Sequence, residues 1–434
     1  MPLGAFRLNS FYKKILLDSE EYFFMYNTSL PSSTSQFDTA RSVHALAVDD
    51  EKNIFLEFFG NDPRTILKIN EQGSLLWQKT LSGISSSYNY REMRLSSNNN
   101  PIVSVRWPGT SGAADGRFGW IELDNLLGTE VRKQGIGIGN NNGSANPGLI
   151  NVGPDGIIHG QTNINAFGFS NYRLIRTWLS NGNVRSSRLD QSGLTYRSSL
   201  GDSQGNTIVS ILGFNRTTYF KFNQTNQVWG FAITSAAAPD FLFLGDNNSI
   251  YAVKNIISPD RCQVVKISST GSIIWQGTLP YLYNTGRQNV CIDEEGNVYI
   301  LTFNESVRFG SLYKISSTGN LLFSRTIKVG AMTNIQDRTM SICVKNGNMY
   351  IGGRSNVVGS TEGTFLLKLP SDGSLTGTYG NFVYSVSNES ITPTSLPTTS
   401  ASAPAVVQGN FPSATRNVTI GNASLSSYSK LTIN

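Results

Sequence analysis

Short apolar runs broken by polar turns recur along most of the chain, and the runs are too short for helices of ordinary length. Ala47-Val48-Asp49-Asp50-Glu51-Lys52-Asn53-Ile54-Phe55-Leu56 and Cys291-Ile292-Asp293-Glu294-Glu295-Gly296-Asn297-Val298-Tyr299-Ile300 share one plan: a strand, an acidic turn, a second strand. Further on, Leu67-Lys68-Ile69-Asn70-Glu71-Gln72-Gly73-Ser74-Leu75-Leu76-Trp77 is matched by Lys266-Ile267-Ser268-Ser269-Thr270-Gly271-Ser272-Ile273-Ile274-Trp275 and by Lys314-Ile315-Ser316-Ser317-Thr318-Gly319-Asn320-Leu321-Leu322-Phe323. Runs such as Ile54-Phe55-Leu56-Glu57-Phe58-Phe59 and Val298-Tyr299-Ile300-Leu301 do not alternate with polar residues, as expected of strands covered on both faces.

The plan repeats. The second strand of each copy is predicted to begin at Ile54, Pro101, Ile157, Thr207, Ile250, Val298 and Met349. A second turn recurs independently at Gly73, Gly128, Gly182, Asn226, Gly271, Gly319 and Gly373. Seven copies of about 40–50 residues, four strands each, predict an all-β, seven-bladed β-propeller. A lone four-stranded meander cannot bury two faces, whereas blades stacked around an axis bury both. The expected divisions are an N-terminal arm and linker at 1–40, the propeller at 41–387 and a Ser/Thr-rich extended arm at 388–434.

Composition agrees with this. Of 434 residues, 39% are hydrophobic and 15% charged, and the 42 glycines suit many tight turns. The net charge of +6 comes from basic residues scattered along the chain, with no run resembling a nucleic-acid arm, so no nucleic-acid partner is expected. No secretion signal and no membrane-length apolar run is visible, so the sequons at Asn215, Asn304 and Asn417 carry little meaning. Cys262, Cys291 and Cys343 lie in separate repeats, each in an apolar stretch, and are expected as buried thiols without disulfides.

The Gly-then-Trp segments at Leu67–Trp77 and Lys266–Trp275 resemble the blade motif of the pyrroloquinoline-quinone repeat family. The resemblance covers roughly residues 40–385 and implies a propeller, not quinone chemistry; the acidic metal ligands and catalytic Asp of the cofactor-bearing members have no match here. The aromatic series Trp77, Trp178, Trp229, Trp275 and Phe323 is read as a set of wedges between blades rather than as sugar-stacking platforms.

The ends differ from the middle. Tyr22-Phe23-Phe24-Met25-Tyr26 precedes a Ser/Thr linker; it either completes a blade or docks on a partner. The segment Ile391–Asn434 has no acidic residue, and Arg416 and Lys430 are its only charges. It is expected to order by adding strands to a neighbouring subunit. Gly4-Ala5-Phe6-Arg7-Leu8-Asn9-Ser10 and Ser424-Leu425-Ser426-Ser427-Tyr428-Ser429-Lys430-Leu431-Thr432-Ile433-Asn434 resemble the ends of virion structural proteins of tailed marine phages, particularly cyanophages. That resemblance implies a head or tail decoration, adaptor or fibre-associated protein, located in the virion and made in the host cytoplasm.

Candidate chemistry is sparse. His44 and His159 stand in no catalytic motif, and no nucleophile elbow, zinc cluster or phosphate loop is present. Asp49-Asp50-Glu51 and Asp293-Glu294-Glu295 could hold calcium or act as paired carboxylates, but their recurrence at one turn favours solvated hairpins. No catalytic, cofactor-binding or metal-binding residue is named. The leading expectation is a non-enzymatic particle component whose partners are other virion proteins, engaged through both arms. The alternative is a propeller binding host-surface glycans on loops such as Trp107–Gly112 and Gly135–Gly148; a hydrolase or quinoprotein comes third.

Overall fold

In a computed structural model, the described residues are 22–27, 43–58, 64–84, 93–107, 117–136, 147–152, 158–166, 169–178, 184–190, 195–213, 216–223, 226–234, 241–257, 260–281, 288–304, 309–329, 340–358, 361–380, 382–395, 398–401, 405–408, 419–422 and 429–433. They are almost wholly strand; the helical content among them is a single short turn, Asp246–Asn248. The strands form seven antiparallel sheets, numbered I to VII here in chain order. Sheet I holds Val43–Val48, Ile54–Phe58, Arg64–Ile69 and Leu75–Ser82; sheet II holds Met93–Leu95, Pro101–Trp107, Arg117–Leu123 and Glu130–Ile136. Sheets III, IV, V and VI begin at Pro147, Thr195, Phe241 and Val290, and sheet VII at Ser341.

Each sheet's first strand touches the first strand of the next, and Val43–Val48 meets Ser341–Lys345 to close the circle. This is a β-propeller arrangement. The observed second strands begin at Ile54, Pro101, Ile158, Thr207, Ile250, Val298 and Asn348, within one residue of expectation throughout. The continuous apolar runs are explained by their surroundings. Buried side chains gather between sheets: Ala45, Phe55 and Trp77 of sheet I pack with Met93, Val103 and Ile121 of sheet II. Tyr251 and Val264 of sheet V pack in the same way with Val298 and Tyr313 of sheet VI. Both faces of a blade are therefore core, and a period of two has nothing polar to report.

The ring closes differently from a plain seven-fold repeat. After Gly373 the chain does not make a fourth strand for sheet VII. It returns to sheet VI as the hairpin Gly377–Tyr379 and Phe382–Val386. The fourth strand of sheet VII is Tyr22–Asn27 from the other end of the chain, paired from Phe23↔Lys368 to Asn27↔Thr364. Of the two readings of the N-terminal aromatic segment, blade completion is the one observed. The residues after Gly373 agree with this, since Gly377 stands where Trp77, Trp275 and Phe323 follow the turn glycine in sheets I, V and VI.

The C-terminal arm likewise adds strands to its own chain, where a neighbouring subunit was expected. It runs backwards around the rim, antiparallel to each outer strand. Thr392–Pro393 lies on sheet V, Thr398–Ser400 on sheet IV, Ala405–Gln408 on sheet III, Thr419–Asn422 on sheet I, and Ser429–Ile433 on the strand Tyr22–Asn27. Strands from both ends thus belong to the same sheets as the segment 41–387. The sparse apolar residues of the arm have a use: Ile391 packs on the core between sheets V and VI, and Ile420 on that between sheets I and II. Glycine in the receiving strand makes room, because a Cβ on Gly277 would stand 2.8 Å from the Ile391 side chain.

The last arm strand therefore latches the strand that closes the ring. A chain ending at Asn422 should lose that cover, and hydrogen exchange at Tyr22–Tyr26 should accelerate about tenfold or more, as expected when even one or two net hydrogen bonds of about 1 kcal/mol each are removed. Unchanged exchange would show that Ser429–Ile433 does not hold the closure.

Candidate functional site

Candidate chemistry gathers in two places: the contacts that repeat between blades and the mouth of the central axis. The repeated contact starts from the acidic turn. Asp49 accepts hydrogen bonds from the Asn53 amide at 2.7 Å and from its side-chain nitrogen at 2.9 Å, and Asp202 with Asn206 and Asp293 with Asn297 do the same. Asp49 and Asp202 are buried and Asp293 is partly buried. A buried carboxylate requires a counter-charge, and the third strand supplies a lysine: Lys221 to Asp202 at 2.7 Å, Lys266 to Asp246 at 2.6 Å, Lys314 to Asp293 at 3.3 Å and Lys68 to Asp49 at 3.6 Å. The acidic turns are thus internal struts. The expectation of solvated hairpins holds for the flanking Asp50, Glu51 and Glu294 but fails for the leading Asp.

The same lysines reach the next blade. Lys266 Nζ donates to the Ser317 carbonyl at 2.9 Å, and Lys314 Nζ to that of Ser371 at 3.3 Å. Beside each lies the aromatic: Trp77 Nε1 donates to Asn125 O at 2.9 Å, Trp229 to Ser269 O at 2.9 Å and Trp275 to Ser317 O at 3.1 Å. The ring rests on the turn glycine of the next blade, Gly128, Gly271, Gly319 and, under Phe323, Gly373, all at positive φ. A Cβ at Gly319 would sit 2.8 Å from Trp275. The glycine is required twice over, by backbone conformation and by the close approach of the indole. The wedge reading of Trp77, Trp229, Trp275 and Phe323 agrees with this geometry. Trp178 differs: it ends the third strand of sheet III, before the turn, and its side chain lies outside the described residues.

The axial mouth is a cavity of ≈ 340 Å³ at the acidic-turn end of the first strands, lined in part by Leu46 and Val48 of sheet I, Arg94 of sheet II, and Cys343 and Lys345 of sheet VII. Arg94 extends over the Phe243 ring of sheet V at 5.6 Å. Lys345 pairs with Asp50 at 3.1 Å and approaches Glu294 at 3.8 Å, and Asn99 donates to Asp50 at 3.3 Å. Gln288, buried at the cavity wall, has a side-chain oxygen with no hydrogen-bond partner among the described residues. The lining can accept and donate hydrogen bonds and carries cations.

Burial pushes the Cys343 thiol up to about 11 and raises that of Cys291 as well. Both stay protonated at neutral pH, which makes them poor nucleophiles and poor metal ligands. The three cysteines form no disulfide. His44 is fully buried in the first strand of sheet I; His159 lies in the second strand of sheet III, with its side chain outside the described residues. No group of three or more His, Cys, Asp or Glu that could hold a metal occurs among the described residues. Loop residues 108–112 and 137–146 lie outside the described residues.

One group escaped the sequence reading. Lys254, in the second strand of sheet V, is fully buried, and its Nζ meets no hydrogen-bond partner among the described residues. Gln263, directly across from it, and Thr278, across from Gln263 on the next strand, carry side-chain oxygens in the same condition. Burial lowers its pKa to about 7. A lysine in an apolar run was the available signal, and without the fold nothing distinguished it from the paired Lys266.

No family model and no curated protein matches this sequence. Solved structures with a related chain path include virginiamycin B lyase from Staphylococcus aureus, at 15% identity and a TM-score of 0.49 over 80% of this chain and 100% of that one. The polysaccharide lyase Uly1 follows at 9% identity and 0.43, over 81% and 98%, and a glucose dehydrogenase at 10% and 0.36, over 78% and 99%. At these scores the likenesses carry no inference about chemistry. The class of this chain, a β-propeller, rests on its own sheets.

Two outcomes follow from the charges. Burial opposes ionisation of Asp202, but Lys221 and Asn206 overcome it and hold its pKa below the ordinary value. A depressed acid contributes stability above its unfolded pKa and loses it as pH falls through the folded one. Lys221→Met should cost about 3–5 kcal/mol at neutral pH by leaving Asp202 buried and unpaired, and adding Asp202→Asn should restore part of it; denaturant titration reads both. Lys254 has a linkage of the same sign in a more alkaline window, and there the shift costs stability at neutral pH. Neutral in the fold above pH 7 and charged in the unfolded chain up to about 10.4, it should make stability rise by up to about 1.4 kcal/mol per pH unit between those values. Lys254→Met should raise stability at pH 7 and flatten that rise; an unchanged profile would mean the ammonium is solvated.

Proposed function

We propose that this chain is a non-enzymatic interaction platform and, more finely, a component of a phage particle. The observation that carries the reading is the use of both termini on the ring itself: one end supplies the closing strand and the other belts five further sheets and then covers that strand. A chain that spends its ends on locking its shape suits display and assembly under mechanical or proteolytic stress. The phage assignment is supported by the resemblance of the two terminal segments. With the arms engaged on their own ring, contacts with other virion proteins would come from the faces and rim of the disc.

A second reading, binding of host-surface glycans, is favoured by the axial mouth. There the unpartnered Gln288 oxygen could accept a sugar hydroxyl beside Arg94 and Lys345. Immunogold labelling and mass spectrometry of purified particles decide between them. Labelling at one fixed place on the particle is the expected result. Absence from every particle, together with glycan binding that Gln288→Ala abolishes, would overturn the platform reading in favour of the second.

A further inference from the structure

We propose that the acidic-turn end of the disc docks a partner protein through a segment in which lysine or arginine lies beside aliphatic residues. The inference rests on the platform reading and names the face of that platform and the chemistry of its partner. It starts from a bulge that recurs after the second turn. In sheet I, Lys68 pairs with Trp77 and Ile69 with Leu75, so Leu76 is one residue more than the ladder can pair. The same count leaves out Val131 in sheet II, Val228 in sheet IV, Ile274 in sheet V and Leu322 in sheet VI. A bulge re-aims the side chain it adds. Each added residue here is aliphatic, and 50% to 52% of its surface is exposed. Single exposed aliphatic residues are ordinary. The same bulge presenting one in five sheets is an ordered array, and grouped apolar surface marks an interaction site.

The array surrounds an acidic centre. Both turns of a blade lie at one end of the disc: Lys52 of the first turn pairs with Glu71 of the second at 3.2 Å. Lys266 and Lys314, whose strands lead into the second turn, likewise reach Asp246 and Asp293 of the first. The first turns lie inward and meet their neighbours around the axis, where Asn99 donates to Asp50, Ser203 to Asn248 and the Asn346 amide to Glu294. The bulges lie outside them, on the fourth strands.

Charge selects the occupant. The exposed charged residues of the described turns at this end are Asp50, Glu51, Asp246, Glu294, Glu295 and Asp372, all of them acidic. Lys52 and Lys345 are partly buried and already engaged by carboxylates. A chain of net charge +6 thus turns an acidic end outward. Nucleic acid or an anionic membrane is repelled there, and a second copy brought up by the same end sets acid against acid. A partner segment with basic residues on the inner turns and aliphatic ones on the bulges is complementary to both rows at once.

The test is fluorescence anisotropy of two labelled amphipathic peptides, one of leucine and lysine and one of leucine and glutamate, titrated with the full-length protein. The leucine–lysine peptide should bind and the leucine–glutamate peptide should not. Ile274→Ser with Leu322→Ser, and separately Glu294→Lys with Glu295→Lys, should each weaken binding about tenfold or more, and added salt should weaken it as well. Val386→Ser, exposed on the hairpin of sheet VI and away from the bulges, should leave it unchanged. Equal binding of both peptides, no binding of the leucine–lysine peptide, or binding that either pair of substitutions leaves intact would overturn the proposal. Any of these with the chain still labelled at one place on a particle strikes this face and leaves the platform reading standing. Binding as expected with the chain absent from every particle does the reverse.

Discussion

The ring depends on one contact made between consecutive blades: a third-strand lysine and a fourth-strand aromatic, both delivered to the second turn of the blade that follows. The lysine neutralises a buried aspartate in its own blade and donates onward, as Lys221 does to Asp202 and to Ser269 O. The aromatic covers the turn glycine and donates to the same carbonyl, as Trp229 does over Gly271. A buried ion pair contributes little net stability against an apolar replacement, whereas burying an aromatic contributes about 1.5–3 kcal/mol. The aromatic thus supplies the energy and the lysine fixes the register. Sliding one blade against the next would strand a charge in the core.

Closing such a ring poses a problem that its interior contacts do not. The last blade must reach the first, and there Lys368 meets the Glu71 carboxylate at 3.0 Å. The fourth strand of sheet VII comes from the chain's other end, so closure joins residues more than 300 positions apart. Loop closure of that size is entropically costly. The belt offsets it by adding short antiparallel strands whose few apolar residues, Ile391 and Ile420, enter the seams between blades.

The repeat was legible in the sequence because each of its parts is local. The second strands fall within one residue of where the pattern placed them, and the Gly-to-aromatic spacing marked a contact that exists at Trp77, Trp229, Trp275 and Phe323. Trp178 shows the limit, since an aromatic near a turn glycine was taken as following it when it precedes it. The acidic turns show another: Asp49 and Asp50 look alike in sequence, but one is buried against Lys68 and the other is at the surface with Lys345. Only the position of the lysine in three dimensions separates a strut from a solvated charge. The axial mouth was not legible at all, because Arg94, Gln288 and Lys345 come from three blades and share no motif.

Taken alone, the sequence determined the fold class, the number and phase of the repeated copies, and the identity of the residues at each turn, since these follow from hydrophobic patterning and from the backbone freedom of glycine. Only the tertiary structure decided where the two ends go. An extended segment with isolated apolar residues can add to any open sheet edge, and strand pairing through the backbone is nearly blind to sequence. Which edge it takes is set by proximity and by the space a glycine such as Gly277 leaves, and both exist only once the ring has formed.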